Sequence, residues 1–331
     1  AGGRFGNGGE ALLSGSVMDS KGNRRLYYPE FDSPGTNNGI AENKDSDRNH
    51  QFLAKIAFKE FTLEGLFGSR TKAIPTGSYG TVFNDDRNRT IDDVGFLDLK
   101  YEKELGDRAR VMARVFYNRY EFDGAYVYDY PPVTVSKARD WGEWWGGDVQ
   151  VSATALNNNK LIAGLAYEDN LRQDQAAYDE DPFASYLDDN KTSQKWAAYV
   201  QDEYALSKNI LINAGVRHDH YDTFGGATNP RLAIVYSPLD KTTLKLLSGT
   251  AFRAPNIYEL YYQDGITLKP NPDLQPEKIT TYEVVLEHYF GEAVRMSAAG
   301  FQYETRNLIT FQTDPADNML VFRNSDKISA Q

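Results

Sequence analysis

Asp148-Val149-Gln150-Val151-Ser152-Ala153-Thr154-Ala155 reads apolar and polar by turns. Val149, Val151, Ala153 and Ala155 fall on one side of an extended chain, and Asp148, Gln150, Ser152 and Thr154 on the other. Alternation with period two marks a β-strand with two unlike faces. The pattern recurs in both directions. In 110–117, Val111, Ala113, Val115 and Tyr117 oppose Arg110, Met112, Arg114 and Phe116. In 209–218, Ile210, Ile212, Ala214 and Val216 oppose Asn209, Leu211, Asn213, Gly215 and Arg217. In 282–290, Tyr282, Val284 and Leu286 oppose Glu283, Val285 and Glu287. One face stays apolar while the other carries charges that a sandwich core would not accept unpaired. A sheet with lipid on one side and a polar lumen on the other accepts both.

The alternation predicts about fourteen strands: 10–20, 50–58, 61–69, 91–103, 108–122, 144–156, 160–171, 194–206, 209–221, 229–237, 242–250, 280–290, 293–305 and 320–331. Several reach the 9–11 tilted residues that a bilayer crossing takes. Short turns are expected at Lys59-Glu60, 104–107, 157–159, Ser207-Lys208, 238–240 and Gly291-Glu292. Long polar loops are expected between them, at 21–49, 70–90, 123–143, 172–193, 222–228, 251–279 and 306–319. Short turns on one side and long loops on the other is the pattern of an outer-membrane barrel. Aromatics near strand ends predict two interfacial girdles: Phe58, Phe61, Tyr101, Tyr117, Tyr120, Trp144, Trp145, Trp196, Tyr199, Tyr204, Tyr236, Tyr289 and Phe290. The fold class expected is all-β, a partial transmembrane antiparallel β-barrel over 1–331 with periplasmic turns and extracellular loops.

Composition agrees. The longest apolar run is Leu161–Tyr167, far short of a spanning helix. Net charge is −11, with 47 acidic against 36 basic residues, which argues against nucleic acid as a partner. Without cysteine, disulfides, zinc–thiolate sites and thiol catalysis are excluded. Twenty-two tyrosines suit a membrane interface, and equally an ordinary tyrosine-rich β-protein. The chain starts at Ala1 without a leader and ends at Gln331 within an expected strand, as a segment of a longer chain would.

Gly249-Thr250-Ala251-Phe252-Arg253-Ala254-Pro255-Asn256, then Glu259-Leu260-Tyr261-Tyr262, then Asn271-Pro272-Asp273-Leu274-Gln275-Pro276-Glu277-Lys278 and Thr281-Tyr282-Glu283, closely resemble the barrel of TonB-dependent receptors. Flanking matches at Gly215–Asp219 with Asn229–Leu232, and at Asn307–Ile309 with Asn324-Ser325, extend the resemblance over about 215–331. Residues 1–214 match in style only. The resemblance implies a barrel of about 22 strands around a plug, with an N-terminal segment that engages TonB. It places these strands at about the third to the sixteenth, Gly2–Gly9 at the turn after the second, and the plug and closing strands outside the sequence. It implies an outer-membrane receptor of a Gram-negative bacterium, bounded by outer-membrane lipid. Its ligand would be a small-molecule nutrient of the siderophore-iron, haem or cobalamin class, and TonB would be reached only through the missing part. The alternative is a passive porin with a closed fourteen-stranded barrel.

The motif has a physical reading too. Pro255 cannot donate to a sheet ladder and ends the strand; Pro270, Pro272 and Pro276 stiffen the returning loop. A structural rim loop accounts for this. If the loop also touches ligand, Arg253, Tyr258, Tyr261 and Tyr262 are the contacts expected. His218-Asp219-His220 sets two imidazoles on one face, at a spacing suited to a metal or to rim decoration. Acidic residues crowd 168–189, as in a calcium loop or a solvated acidic loop. The glycines of 2–9 precede no helix and read as a turn, not a phosphate cradle. No catalytic set is visible, so neither an enzyme nor a cofactor or bound metal is expected.

Overall fold

The computed structural model describes residues 1–6, 8–154 and 158–331. The chain forms β1 (Gly2–Arg4), β2 (Glu10–Ser20), β3 (Arg25–Tyr27), β4 (Ile40–Glu42), β5 (Asp47–Phe58), β6 (Phe61–Ala73), β7 (Arg89–Leu105), β8 (Ala109–Asp129), β9 (Val133–Ala153) and β10 (Asn159–Glu180). There follow β11 (Phe183–Ser207), β12 (Ile210–Tyr221), β13 (Gly225–Leu239), β14 (Thr242–Arg253), a one-turn helix α1 (Ile257–Tyr261), β15 (Glu277–Phe290), β16 (Val294–Arg306), β17 (Leu308–Thr313), β18 (Leu320–Ser325) and β19 (Ile328–Ala330). Fifteen strands make one sheet in the order β1-β2, β5 through β16, β19, each antiparallel to the next. β3 with β4, and β17 with β18, form separate two-stranded ribbons. Among the described residues β1 and β19 do not pair with each other, so the expected alternative of a closed fourteen-stranded barrel finds no support.

One end of the sheet carries tight turns at Lys59-Glu60, 106–108, 208–209, 240–241 and 291–293. Gly106 and Gly291 take φ +66° and +71°, the left-handed conformation such turns favour. The turn expected at 157–159 and the end of the strand expected at 144–156 fall partly on residues 155–157, outside the described residues, as does position 7 in the turn expected at 2–9.

Four expectations are corrected at the other end, one of them the long loop expected at 222–228, which is a three-residue turn, 222–224, because β13 already pairs with β12 from Gly225. Segments 123–143 and 172–193 are not loops. They continue as the upper halves of β8 with β9 and of β10 with β11, paired out to Asp129↔Val133 and Glu180↔Phe183. β11, at 25 residues, spans roughly 80 Å, well beyond a hydrocarbon core of roughly 30 Å. Residues 320–331 are not one strand: β18 pairs with β17, and only β19 rejoins the sheet beside β16. The physical reason is shared, since above the bilayer a strand can be covered by protein instead of lipid.

The two faces sort as the alternation requires. Val115, Val149, Val151, Leu165, Val200, Val216, Leu246 and Val284 stand exposed on the outward face. Ion pairs such as Lys245–Glu287 at 3.1 Å and Arg110–Glu102 at 2.6 Å line the lumen face. Phe61 packs on Tyr101 near the tight-turn end (4.9 Å between centroids), and Trp145 on Tyr167 toward the other (5.7 Å). The girdle expectation needs correcting at four residues. Tyr120, Trp144, Tyr199 and Tyr289 occupy lumen-side register positions; Tyr120 donates to Asp92 at 3.0 Å and Tyr199 to Gln150 at 3.1 Å.

The largest fully buried side chains are not in this wall. Val127, Leu274, Ala41, Val321, Leu260 and Leu268 are all at most 5% exposed, and all lie in the crown formed by the long connections and the upper hairpins. A wall one sheet thick has no interior; the crown, being folded over itself, does.

Candidate functional site

The crown encloses a cavity of about 710 Å³. Its chief feature is tyrosine from separated parts of the chain: Tyr79 before β7, Tyr126, Tyr128 and Tyr130 at the top of β8, Tyr186 on β11, and Tyr258 and Tyr262 at α1. Period two explains the β8 contribution. Tyr126 and Tyr128 point into the cavity, while the alternate residues Ala125 and Val127 are buried at 3% and 0% exposure. The 74–88 segment holds this edge: Val82 N–H donates to Val127 O (2.7 Å), and Asn88 accepts from Val127 N–H while donating to Val82 O, both at 2.8 Å. Phe83 then stacks on Phe31 at 4.4 Å, tying in the 21–46 connection. A Cβ at Gly124 would lie 2.5 Å from the Tyr126 ring, so a larger residue there would displace that tyrosine.

The resemblance motif builds the opposite wall. Asn256 caps α1 by accepting from Glu259 N–H at 2.8 Å, and Glu259 returns the bond to Asn256 N–H at 2.9 Å, a capping box. The cap fixes a single helical turn from which Tyr258 and Tyr262, four apart, stack at 4.5 Å. Leu274 and Leu260 are buried beneath the returning loop. Asn271 donates to Phe322 O, and Asn324 bonds Gln275 in both directions, all at 2.8 Å.

The expected contact residues therefore separate. Tyr258 and Tyr262 line the cavity. Tyr261 faces a second hollow of about 310 Å³, with the Lys191 ammonium 4.8 Å over its ring. Arg253 is engaged as a brace: Nε and Nη2 donate to Glu277 at 2.7 and 2.8 Å, and Nη1 to Glu259 at 2.9 Å. Its guanidinium pKa is driven up by these carboxylates. Sequence reasoning passed over Tyr126, Tyr128, Asp179 and Tyr186 because the upper hairpins were read as loop. The signal was present, since Ala125-Tyr126-Val127-Tyr128-Asp129-Tyr130 alternates as strictly as the wall does.

Burial sets the ionisation of the lining. It pushes the Tyr126 phenol up to about 12 and raises Tyr262, Tyr258 and Tyr128 as well. Tyr186 rises to about 12, first through its hydrogen bond to Asp179 (2.5 Å) and then through burial. All offer protonated hydroxyls and neutral ring faces at any physiological pH. Burial also raises the Asp140 carboxyl. Asp264 is pushed up by burial, but hydrogen bonds from Thr267, Leu268 and Ile266 outweigh it and hold the carboxyl low.

The other candidate features lie elsewhere. His218 and His220 do share a face, where both pack 5.5 Å from Trp196. The acids of 168–189 are spread along β10, its turn and β11, and three have a basic neighbour: Glu168 with Lys195 at 2.7 Å, Asp189 with Lys191 at 2.8 Å, and Asp174 with Arg172. No group of three potential metal ligands occurs among the described residues.

The family described as TonB dependent receptor-like, β-barrel matches residues 20–331. The iron-regulated outer membrane virulence protein of Vibrio cholerae is 30% identical over 131 residues, 38% of this chain and 20% of that protein. The vitamin B12 transporter BtuB of Photobacterium profundum is 29% identical over 133 residues, 40% of this chain and 21% of that protein. Among solved structures, a mutant ferric enterobactin receptor from Pseudomonas aeruginosa in complex with enterobactin superposes with a TM-score of 0.70 over 99% of this chain, at 16% identity. The copper transporter OprC gives 0.70 over 98%, at 14% identity. Identities this low speak to fold alone. The chain spans about half of each of these structures, 55% in both cases. Three of these four are named as transporters or receptors, and none is named as an enzyme.

Proposed function

The chain belongs to the TonB-dependent receptor family of β-barrels in the Gram-negative outer membrane, and we propose that it supplies wall and crown to a receptor that captures a scarce, bulky nutrient at the tyrosine cavity. The nutrient is of the siderophore-iron, haem or cobalamin class, and the full-length receptor passes it inward when TonB acts on a plug. The observation that carries this reading is the convergence of tyrosines from four segments on one extracellular cavity of about 710 Å³, a size suited to such ligands. Tyr258 and Tyr262 are contact residues here. Arg253 acts indirectly, by holding α1 against β15. Tyr261 belongs to a neighbouring hollow and serves as a rim contact.

The test is growth of a strain that depends on the full-length receptor under iron or cobalamin limitation. A Tyr128→Ala, Tyr262→Ala double variant should lose growth while reaching the outer membrane in normal amount. Growth that does not depend on the receptor under either limitation, or that the double variant leaves unchanged, would sink the reading.

A further inference from the structure

Building on the receptor reading above, we propose that the crown cavity selects a ligand carrying a cationic group and disfavours anionic iron complexes such as a ferric tris-catecholate. The register of the two long hairpins carries the argument. Phe122, Tyr126 and Tyr128 share the cavity face with Ser136 and Asp140 of β9, and these with Gln175 and Asp179 of β10. Arg139 and Arg172 of the same hairpins take the opposite face. Arg139 stands directly across from Asp123 and binds it at 2.8 Å, and Lys137 is ion-paired to the same carboxylate. Arg172 pairs with Asp174 and lies 4.9 Å over the Trp141 ring. Asp140 and Asp179 look inward, while the two arginines look outward, each matched by an acid on its own face. No arginine lines the cavity among the described residues, and its one lysine, Lys137, is already matched.

Asp179 supplies a second, independent observation. It is 6% exposed on the cavity wall. One carboxylate oxygen accepts from the Tyr186 hydroxyl, while the other is buried without a hydrogen-bond partner among the described residues. Gln175 Oε1, on the same face, is also buried and unpartnered. Both atoms only accept, so both lack a donor. Asp264 adds another negative charge, its carboxylate held by the N–H groups of Ile266, Thr267 and Leu268. An ammonium or guanidinium entering this space meets acceptors and the faces of phenol rings, which attract cations. An anion meets three carboxylates and no free cation.

The full-length receptor is titrated by tryptophan-fluorescence quenching with three ferric probes. One is a trihydroxamate with a free ammonium, the second is the same complex with that ammonium acetylated, and the third is the trianionic tris-catecholate. The ammonium form should bind about tenfold more tightly than its acetylated twin, with the trianion weakest. Asp179→Asn should erase the preference. Ser136→Lys, which sets a fixed ammonium beside Asp179 and leaves every acid in place, should erase it too, so a misfolded first variant does not decide the matter. Equal binding of the first two probes, tighter binding of the trianion, or no binding of any of them overturns the proposal. If the preference is absent while growth still depends on Tyr128 and Tyr262, only the charge class fails; if that dependence is absent as well, the receptor reading fails with it.

Discussion

The lower and upper halves of β8 through β11 are continuous strands, yet different physics holds each half. Below, the sheet is one layer thick; its apolar face looks outward, and Val149 and Leu165 remain 50% and 66% exposed on the protein itself. Lipid, not protein, completes their burial, and the backbone is satisfied wholly by neighbouring strands. Above, the same strands leave the bilayer and must find protein to cover them. They do so with the 74–88 segment, α1 and the β17–β18 ribbon, producing the buried residues the wall lacks. The wall is thus specified by alternation and solvent, and the crown by side-chain packing and particular hydrogen bonds. Each can be damaged without the other.

The largest separation is expected from Leu274→Ala. Leu274 is 2% exposed beneath the returning loop, and emptying such a site costs about 2–5 kcal/mol. Limited proteolysis should cut within 254–276 of the variant while the barrel keeps its resistance to detergent at room temperature. Cutting of wall and crown together would show that they are one cooperative unit. The converse is Val149→Arg, a charge on the lipid face, which costs about 2–4 kcal/mol near mid-bilayer. Its effect should appear as lost membrane assembly, with the molecules that do insert retaining a protease-resistant crown.

A smaller effect is expected from Asn88→Ala. Asn88 is 1% exposed, and its amide serves both Val127 N–H and Val82 O. Removing it leaves two buried backbone groups without partners, at about 1–3 kcal/mol. Amide exchange should quicken at Val82 and Val127 and leave α1 unaffected. Faster exchange across the whole crown would mean that its two sides share one hydrogen-bonded frame.

The same contrast explains what could be read from sequence. Wall strands such as 209–221 are legible because one periodicity answers to two solvents, and β12 was found at Ile210–Tyr221. The TonB-receptor motif is legible because its prolines and its Asn256–Glu259 cap act locally. The cavity was half legible: Tyr258 and Tyr262 sit in the motif, while Tyr126, Tyr128 and Tyr186 reach it only through the length of the hairpins. Alternation at Ala125–Tyr130 spoke for strand, but strands of 21 residues exceed what a membrane needs, so the excess was read as loop. Arg253 shows another limit. A lone arginine beside tyrosines suggests ligand contact, and nothing in its neighbours announces that Glu259 and Glu277 converge on it across the fold.

That brace yields the smallest of these effects, one confined to the crown. Hydrogen bonding to Arg253 is the main cause that lowers the Glu277 carboxyl pKa, with burial opposing it and Ile309 N–H and the guanidinium charge assisting. The folded value lies below the unfolded one, so the brace stabilises fully above the unfolded pKa of about 4.5 and loses this contribution as pH falls through the folded value. Glu277 is largely covered but Arg253 is 44% exposed, so solvent screening keeps the effect to about 1 kcal/mol or less. Hydrogen exchange at α1 should therefore quicken between pH 6 and pH 3 in the wild type, beyond the intrinsic pH dependence of exchange, whereas Glu277→Gln should be loose at both. If α1 responds identically in the wild type and in Glu277→Gln, acid acts on the crown through other carboxylates, and the tie between β14, α1 and β15 is geometric instead of ionic.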